Sequence, residues 1–323
     1  MSLITPAQMT QFEEQGYLLV KGLLDPQRDL DPIIDEYATV LDRLAHQLYD
    51  KGEIVSTYDD LSFGERLIAI YNDSNKVHSQ YFDFSLPQKD VQPDTPFWAG
   101  PAVFNALRNQ RLLDAVECFI GPEIYSNPVQ HVRIKPPEAR TPVNPETGYV
   151  QLGKTPWHQD NGVVLPTADD TNMLTVWFPL TEATVENGCL EVLPRSHRKK
   201  LMHHCPRVWG LELPEKVYDR KEAVPVPMQR GDVLFLTRWT VHSSLSNHSD
   251  EIRWSFDLRY HPIGQATGRE AFPGFVARSR ANPDSELHDA AAWEQLWRQA
   301  RDHLGATENN PFNRWSAEHP VCA

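Results

Sequence analysis

Cysteine is scarce, cations are outnumbered, and no apolar run is long. Cys118, Cys189, Cys205 and Cys322 are the four cysteines, and no two of them form a CxxC. That excludes paired-cysteine zinc modules and thioredoxin-like redox motifs. The expectation is four reduced thiols in a cytoplasmic protein. Lys and Arg total 31 against 44 Asp and Glu, a formal net charge of -13. A chain this acidic has little to drive counterion release from a phosphate backbone, so nucleic acid is excluded as a partner. The same balance disfavours an anionic membrane surface. No stretch approaches the roughly 18 apolar residues of a spanning helix. The opening MSLITPAQMTQF has neither the charged region nor the apolar region of a secretory signal.

What is present is a core-forming composition, with 40% hydrophobic residues, 10% aromatics and nine Trp. Thr5, Pro6 and Gln8 form a helix-start signature, and Gly16 ends that helix before the apolar run YLLV, 17–20. Ile33, Tyr37, Leu41, Leu44 and Leu48 recur at spacings of three and four and predict a helix over 31–50. Further helices are expected over 101–118 and 286–304, the latter closing at Gly305. Between them, about 129–262, short apolar or alternating segments are separated by turn residues: VQHVRIK, MLTVWFPL, CLEVLP, DVLFLT and IRWSFDLRY. Asn187-Gly188 reads as a hairpin turn, and Arg230-Gly231-Asp232 as a turn into a strand. Many short strands predict an antiparallel sandwich, barrel or jelly roll with helices outside it. No repeat or low-complexity linker divides the chain, so one domain is expected over 1–323. Its helical support would lie at about 1–125 and 283–305, its jelly-roll core at about 126–265 and its tail at 306–323. Two proline-rich irregular segments, 136–156 and about 194–230, have the length of lids or binding loops.

His158 and Asp160, in TPWHQDNG, lie two apart. In a strand they would share a face and reach one ion. A pair alone is weak, and His248-Ser-Asp250 repeats it in a polar run that reads as a turn tip. His242, at the end of LTRWTVH, supplies the third ligand that a two-histidine, one-carboxylate iron centre needs. Folding the chain back at Asn247-His248 as a hairpin sets Arg253 opposite His242. The guanidinium there would clamp a carboxylate near the ion. The strand RWSFDLR puts Arg253, Ser255, Asp257 and Arg259 on one face and Trp254, Phe256 and Leu258 on the other. HVRIK likewise aligns His131, Arg133 and Lys135. Arg133 and Arg259 are the candidate contacts to an anionic substrate.

These residues, with IKPP (134–137), WHQD (157–160), NGCLEVLPRSH (187–197) and RGDVLFL (230–236), resemble the phytanoyl-CoA dioxygenase family from the opening segment to about Tyr260. The resemblance implies a mainly β chain with flanking helices around a double-stranded β-helix (jelly-roll, cupin-like) core. It also implies a dioxygenase that uses Fe(II), 2-oxoglutarate and O2 on a small-molecule substrate. By resemblance, His158, Asp160 and His242 hold iron, Arg253 binds the distal carboxylate of 2-oxoglutarate, and Lys135, Trp177 and Ser244 touch that cosubstrate. An acid at position 160, which halogenating relatives lack, implies hydroxylation. Arg195 stands where the family often has glycine. The tail beyond about 265, with GREAFPGFVARSR and NPFNRW, is not covered. A zinc hydrolase and a non-catalytic binding module are the alternatives that the residues leave open.

Overall fold

The computed structural model describes residues 3–208, 210–307 and 314–323. The helices, in chain order, are α1 Pro6–Gln15, α2 Asp31–Asp50, α3 Phe63–Asp73, α4 Ser79–Phe82, α5 Pro101–Leu107, α6 Gln110–Ile120 and α7 Ala290–Ala306. The strands are β1 Tyr17–Val20, β2 Glu123–Lys135, β3 Leu174–Pro179, β4 Leu190–Val192, β5 Cys205–Arg207 and β6 Gly210–Glu212. They continue with β7 Val224–Val226, β8 Val233–Thr237, β9 His242–Ser244, β10 Arg253–Pro262 and β11 Phe275–Ser279. A six-stranded antiparallel sheet runs β1-β8-β3-β10-β2-β11, and a three-stranded sheet runs β7-β4-β9. Trp177, Leu234 and Leu236 of the large sheet pack with Leu190, Val192 and Val226 of the small one. Two antiparallel sheets joined face to face with helices outside make the expected jelly roll.

Local chemistry sets the elements. Thr5 and Gln8 make the reciprocal capping box, and Gly16 closes α1 at φ 85°, a conformation that costs glycine nothing. The alternation in β10 decides which side of the large sheet meets the helices. Trp254, Phe256, Leu258 and Tyr260 join the main core beneath them. Tyr37 of α2 meets Trp254 edge-on at 5.3 Å, Phe63 stacks on it at 4.7 Å, and Phe84 packs on Phe256 at 4.9 Å. Each such side chain stabilises the fold by about 1.5–3 kcal/mol through burial. The polar residues of β10 are thereby turned into the space between the sheets.

Several expectations are corrected. The helix expected over 101–118 is two, α5 and α6, because Asn109 caps a new start by accepting from the Leu112 amide. Gly305 lies inside α7 rather than after it; a Cβ there would stand 3.0 Å from the Pro93 amide nitrogen, so close packing explains the glycine. Asn187 and Gly188 form a turn, but the strands on either side, β3 and β4, belong to different sheets. The segment after 265 adds β11 to the large sheet, against β2. Arg195 adopts φ 64°, the left-handed conformation for which glycine would be the ordinary choice. Cys205 and Cys322 are not free thiols: they are joined in a disulfide across 117 positions, because the tail returns to lie beside β5. Of NPFNRW, only Arg314 and Trp315 are among the described residues. No described helix is long and apolar enough to cross a membrane.

Candidate active site

His158 and His242 are bound to each other through the backbone. Each amide donates to the other's carbonyl at 3.0 Å, and the two rings lie 4.3 Å apart. Asp160 opens a 3-10 turn, Asp160–Val163, so the turn, not strand alternation, aims its carboxylate. Nδ1 of His158 meets the Pro156 carbonyl at 2.8 Å, and Nδ1 of His242 meets the Thr240 carbonyl at 3.0 Å. Donation to those carbonyls leaves each Nε2 as the lone-pair atom. The ligand atoms of His158, Asp160 and His242 all lie within 4.8 Å of one another. Burial and then the nearby His242 push His158 down to about 3, so its ring is neutral. Burial alone would raise the Asp160 carboxyl, but Arg259, His242 and His158 hold it well below the usual range. Two imidazole nitrogens and one carboxylate thus converge, a donor set that fits a divalent cation. The other close group, His203, Cys205 and Cys322, has both sulfurs in the disulfide and does not form a comparable set. His248 and Asp250 are exposed, as their turn position implied.

The hairpin expected between His242 and Arg253 is not formed. His242 pairs with Val192 in the small sheet, and Arg253 pairs with Lys135 in the large one. The chain between them, 245–252, crosses from one sheet to the other. Both side chains still line one cavity, together with His158, Trp177, Ser244 and Arg259. Arg253 reaches it from the facing sheet, with its guanidinium 5.5 Å from the Trp177 ring centre. Lys135 donates to Ser244 Oγ at 2.8 Å and to the Leu245 carbonyl at 2.7 Å. Burial, then Arg253, pushes Lys135 well down; burial, then Arg133, lowers Arg253 to about 10. Buried cations set side by side favour a bound anion, which relieves both effects.

Arg259, expected to meet the substrate, is engaged by two carboxylates of this chain. Its Nη2 donates to Asp160 Oδ1 at 2.5 Å and to Asp257 at 3.0 Å. Arg259 stands opposite Thr175 in the β10–β3 register, and Thr175 Oγ1 donates to the other oxygen of Asp160. One cross-strand pair therefore grips both carboxylate oxygens. Thr175 went unnoticed in the sequence, although it shares the inward face with Trp177 two positions on. Arg133 is half-buried and makes no ion pair among the described residues. It lines the wall shared with a second cavity formed by Gln80, Asp83, Leu86 and Gln88.

Two further histidines give an acid signature. His204 and His261 are fully buried, and burial lowers each to about 4. Between that value and the unfolded value near 6.5, the unfolded chain binds protons that the folded chain does not. Stability therefore falls as pH drops through this window, by about 1 kcal/mol per pH unit for each ring. Urea midpoints of the apoprotein should decline steadily from pH 6.5 to 4.5; constant midpoints would contradict the burial argument.

Two imidazoles and a carboxylate at one end of a cavity between jelly-roll sheets, faced by buried cations, define the class of non-haem oxygenases that draw on a keto acid. The family model "Phytanoyl-CoA dioxygenase (PhyH)" matches residues 12–255. The chain belongs to that family and is a 2-oxoglutarate-dependent dioxygenase that works with Fe(II), 2-oxoglutarate and O2. It is 24% identical over 265 residues to zebrafish (Danio rerio) phytanoyl-CoA dioxygenase domain-containing protein 1, covering 78% of this chain and 88% of that protein. It is 24% identical over 265 residues to human peroxisomal phytanoyl-CoA dioxygenase, covering 80% of this chain and 69% of that one. A methylphosphonate hydroxylase of Gimesia maris is 32% identical over 114 residues, 35% of this chain and 43% of that protein. Among solved structures, the non-heme monooxygenase ThoJ shares the fold with a TM-score of 0.55 at 16% identity, over 91% of this chain and 97% of that one.

Proposed function

We infer that the protein, acting as one domain over 1–323, hydroxylates an unactivated C–H of a small anionic metabolite and releases succinate and CO2. His158, Asp160 and His242 would hold the iron. Once bound, iron and 2-oxoglutarate supply the O2 activation and oxidising power for oxygen insertion. The residues of the chain orient and insulate that chemistry. Arg253 takes the distal carboxylate of 2-oxoglutarate, with Lys135 and Ser244 beside it and Trp177 as the wall. The carbonyls of Pro156 and Thr240 fix both imidazoles by accepting their Nδ1 protons, and Arg259 with Thr175 holds Asp160.

The observation that carries the substrate class is Arg133. Among the described residues it makes no ion pair, it is not needed for 2-oxoglutarate as Arg253 is, and it faces the second cavity as well as the first. Arg259, which the strand pattern offered as another anion contact, is assigned to Asp160 instead. The Gimesia maris relative, by its name, acts on methylphosphonate, a small anion, which supports the same class. The test is Arg133→Ala. The KM for an anionic substrate found by screening should rise by about 10- to 100-fold, as loss of a charge-assisted contact of roughly 1.5–3 kcal/mol implies. The uncoupled succinate rate should hold. An unchanged KM, or a screen in which only neutral compounds stimulate turnover, would reject the anion assignment.

A further inference from the structure

The segment that carries His158 and Asp160 rests on His204, which is in turn covered by a tail that lies beyond the family match at 12–255. His204 is fully buried, and its Nε2 accepts the amide hydrogen of Gln159, the residue between the two ligands, at 2.9 Å. Its Nδ1 donates to the Met202 carbonyl at 2.9 Å, so the acceptor role of Nε2 is set. Gln159 is tied as well: its Nε2 donates to the carbonyls of Lys200 and Trp239, each at 2.7 Å, and its Oε1 accepts from the Met202 amide at 2.8 Å. Gly162, in the turn that Asp160 opens, lies against the His204 ring so closely that a Cβ would stand 2.0 Å from it.

The C-terminal tail closes this arrangement from outside. Trp315 stacks on His204 with ring centres 5.5 Å apart, and its indole Nε1 donates to the Gly162 carbonyl at 2.6 Å. Arg314 pairs with Asp169, with Nη2 to Oδ2 at 2.8 Å. The tail is fastened by the disulfide between Cys322 and Cys205, the neighbour of His204.

We propose that His204 and Trp315 are positioning residues for the metal-binding turn, and that the Cys205–Cys322 bond keeps them in place. The backbone between two ligands has to hold their separation. Here that backbone is hydrogen-bonded to an imidazole that the indole covers. A dithiol reductant would deliver two electrons and two protons to the sulfurs, leaving two thiols and its own disulfide. The tail would then be held by its weaker contacts alone. The inference rests on the reading of His158, Asp160 and His242 as iron ligands, so its test has a metal-free arm.

Apoprotein is titrated anaerobically with Fe(II) in saturating 2-oxoglutarate, following the visible absorption of the complex, with melting temperatures measured in parallel. Trp315→Phe and His204→Leu should raise the Fe(II) dissociation constant by about 10-fold or more, the scale of outer-shell changes. His204→Gln, whose amide oxygen can accept from Gln159, should recover most of that loss. Cys322→Ser, or wild type treated with the dithiol, should fall between. In the metal-free arm, the Gln159 amide of Trp315→Phe should exchange with solvent about 10-fold faster than in wild type. Unchanged exchange there overturns the proposal, whatever iron does. Normal exchange effects with no iron binding by wild type would instead overturn the ligand assignment. Folded Trp315→Phe and His204→Leu that bind iron within twofold of wild type would also reject the positioning role.

Discussion

His242→Ala abolishes iron-dependent turnover while leaving the protein folded. The ring is 4% exposed, and its truncation opens a space beside the water-accessible cavity rather than inside the main core, so the fold survives. The loss falls on the metal. Removing a partner that merely orients a ligand costs 10- to 100-fold in affinity or activity, so removing the ligand itself should exceed about 100-fold in succinate formation. The backbone pairing of His242 with His158 does not involve the side chain and persists. The check is succinate release from 2-oxoglutarate under air, together with the visible absorption of the Fe(II) complex. A variant that keeps both within tenfold of wild type would remove His242 from the ligand set.

Arg259→Leu destabilises the apoprotein by about 3–5 kcal/mol, the scale for breaking one side of a buried ion pair. Asp160 is fully buried, and Arg259 Nη2 is its charged partner at 2.5 Å. Without it the carboxylate keeps Thr175 but loses its countercharge. At the usual conversion of about 2 °C per kcal/mol for a chain of this size, the melting temperature falls by roughly 6–10 °C. The pH dependence has a definite sign. In wild type the folded Asp160 carboxyl lies below its unfolded value near 3.9. Its stabilisation is therefore present above that value and is lost as pH falls through the folded one. In the variant the carboxyl loses Arg259, the largest of the groups that lower it, and moves up, so protonation relieves part of the penalty. The difference between variant and wild type should shrink as pH falls toward 4. A melting temperature within 2 °C of wild type, with the effect confined to substrate KM, would return Arg259 to the substrate site.

The parts of this protein that were legible in the sequence are those governed by near neighbours. The capping box of α1, the Gly16 stop, the 31–50 helix and the two-residue alternation of β10 each depend on contacts within a few positions. The polar face of β10 and the facing His131, Arg133 and Lys135 were legible for the same reason, as was the pairing of His158 with Asp160 in one short segment. Where local signals misled, a distant contact had intervened. Gly305 has the look of a helix stop, yet α7 runs through it because the Pro93 backbone needs the room. Phe63–Asp73 went unnoticed as a helix, although Ser62 and Glu65 stand at the spacing of a helix start.

The sequence by itself determined the composition of the site: which residue types are present, on which strand faces, and hence the oxygenase family. Tertiary structure alone decided which strands are partners. Arg253 lies opposite Lys135 and not His242, because the eight residues 245–252 carry the chain to the other sheet and no local pattern encodes that crossing. It also decided that Arg259 and Thr175 hold Asp160, and that Cys322 returns across 117 positions to Cys205. Such contacts join residues far apart in the chain. They form only when burial of the two sheets and the helices outweighs the entropy of closing long loops, a balance of the whole molecule that no short stretch of sequence carries.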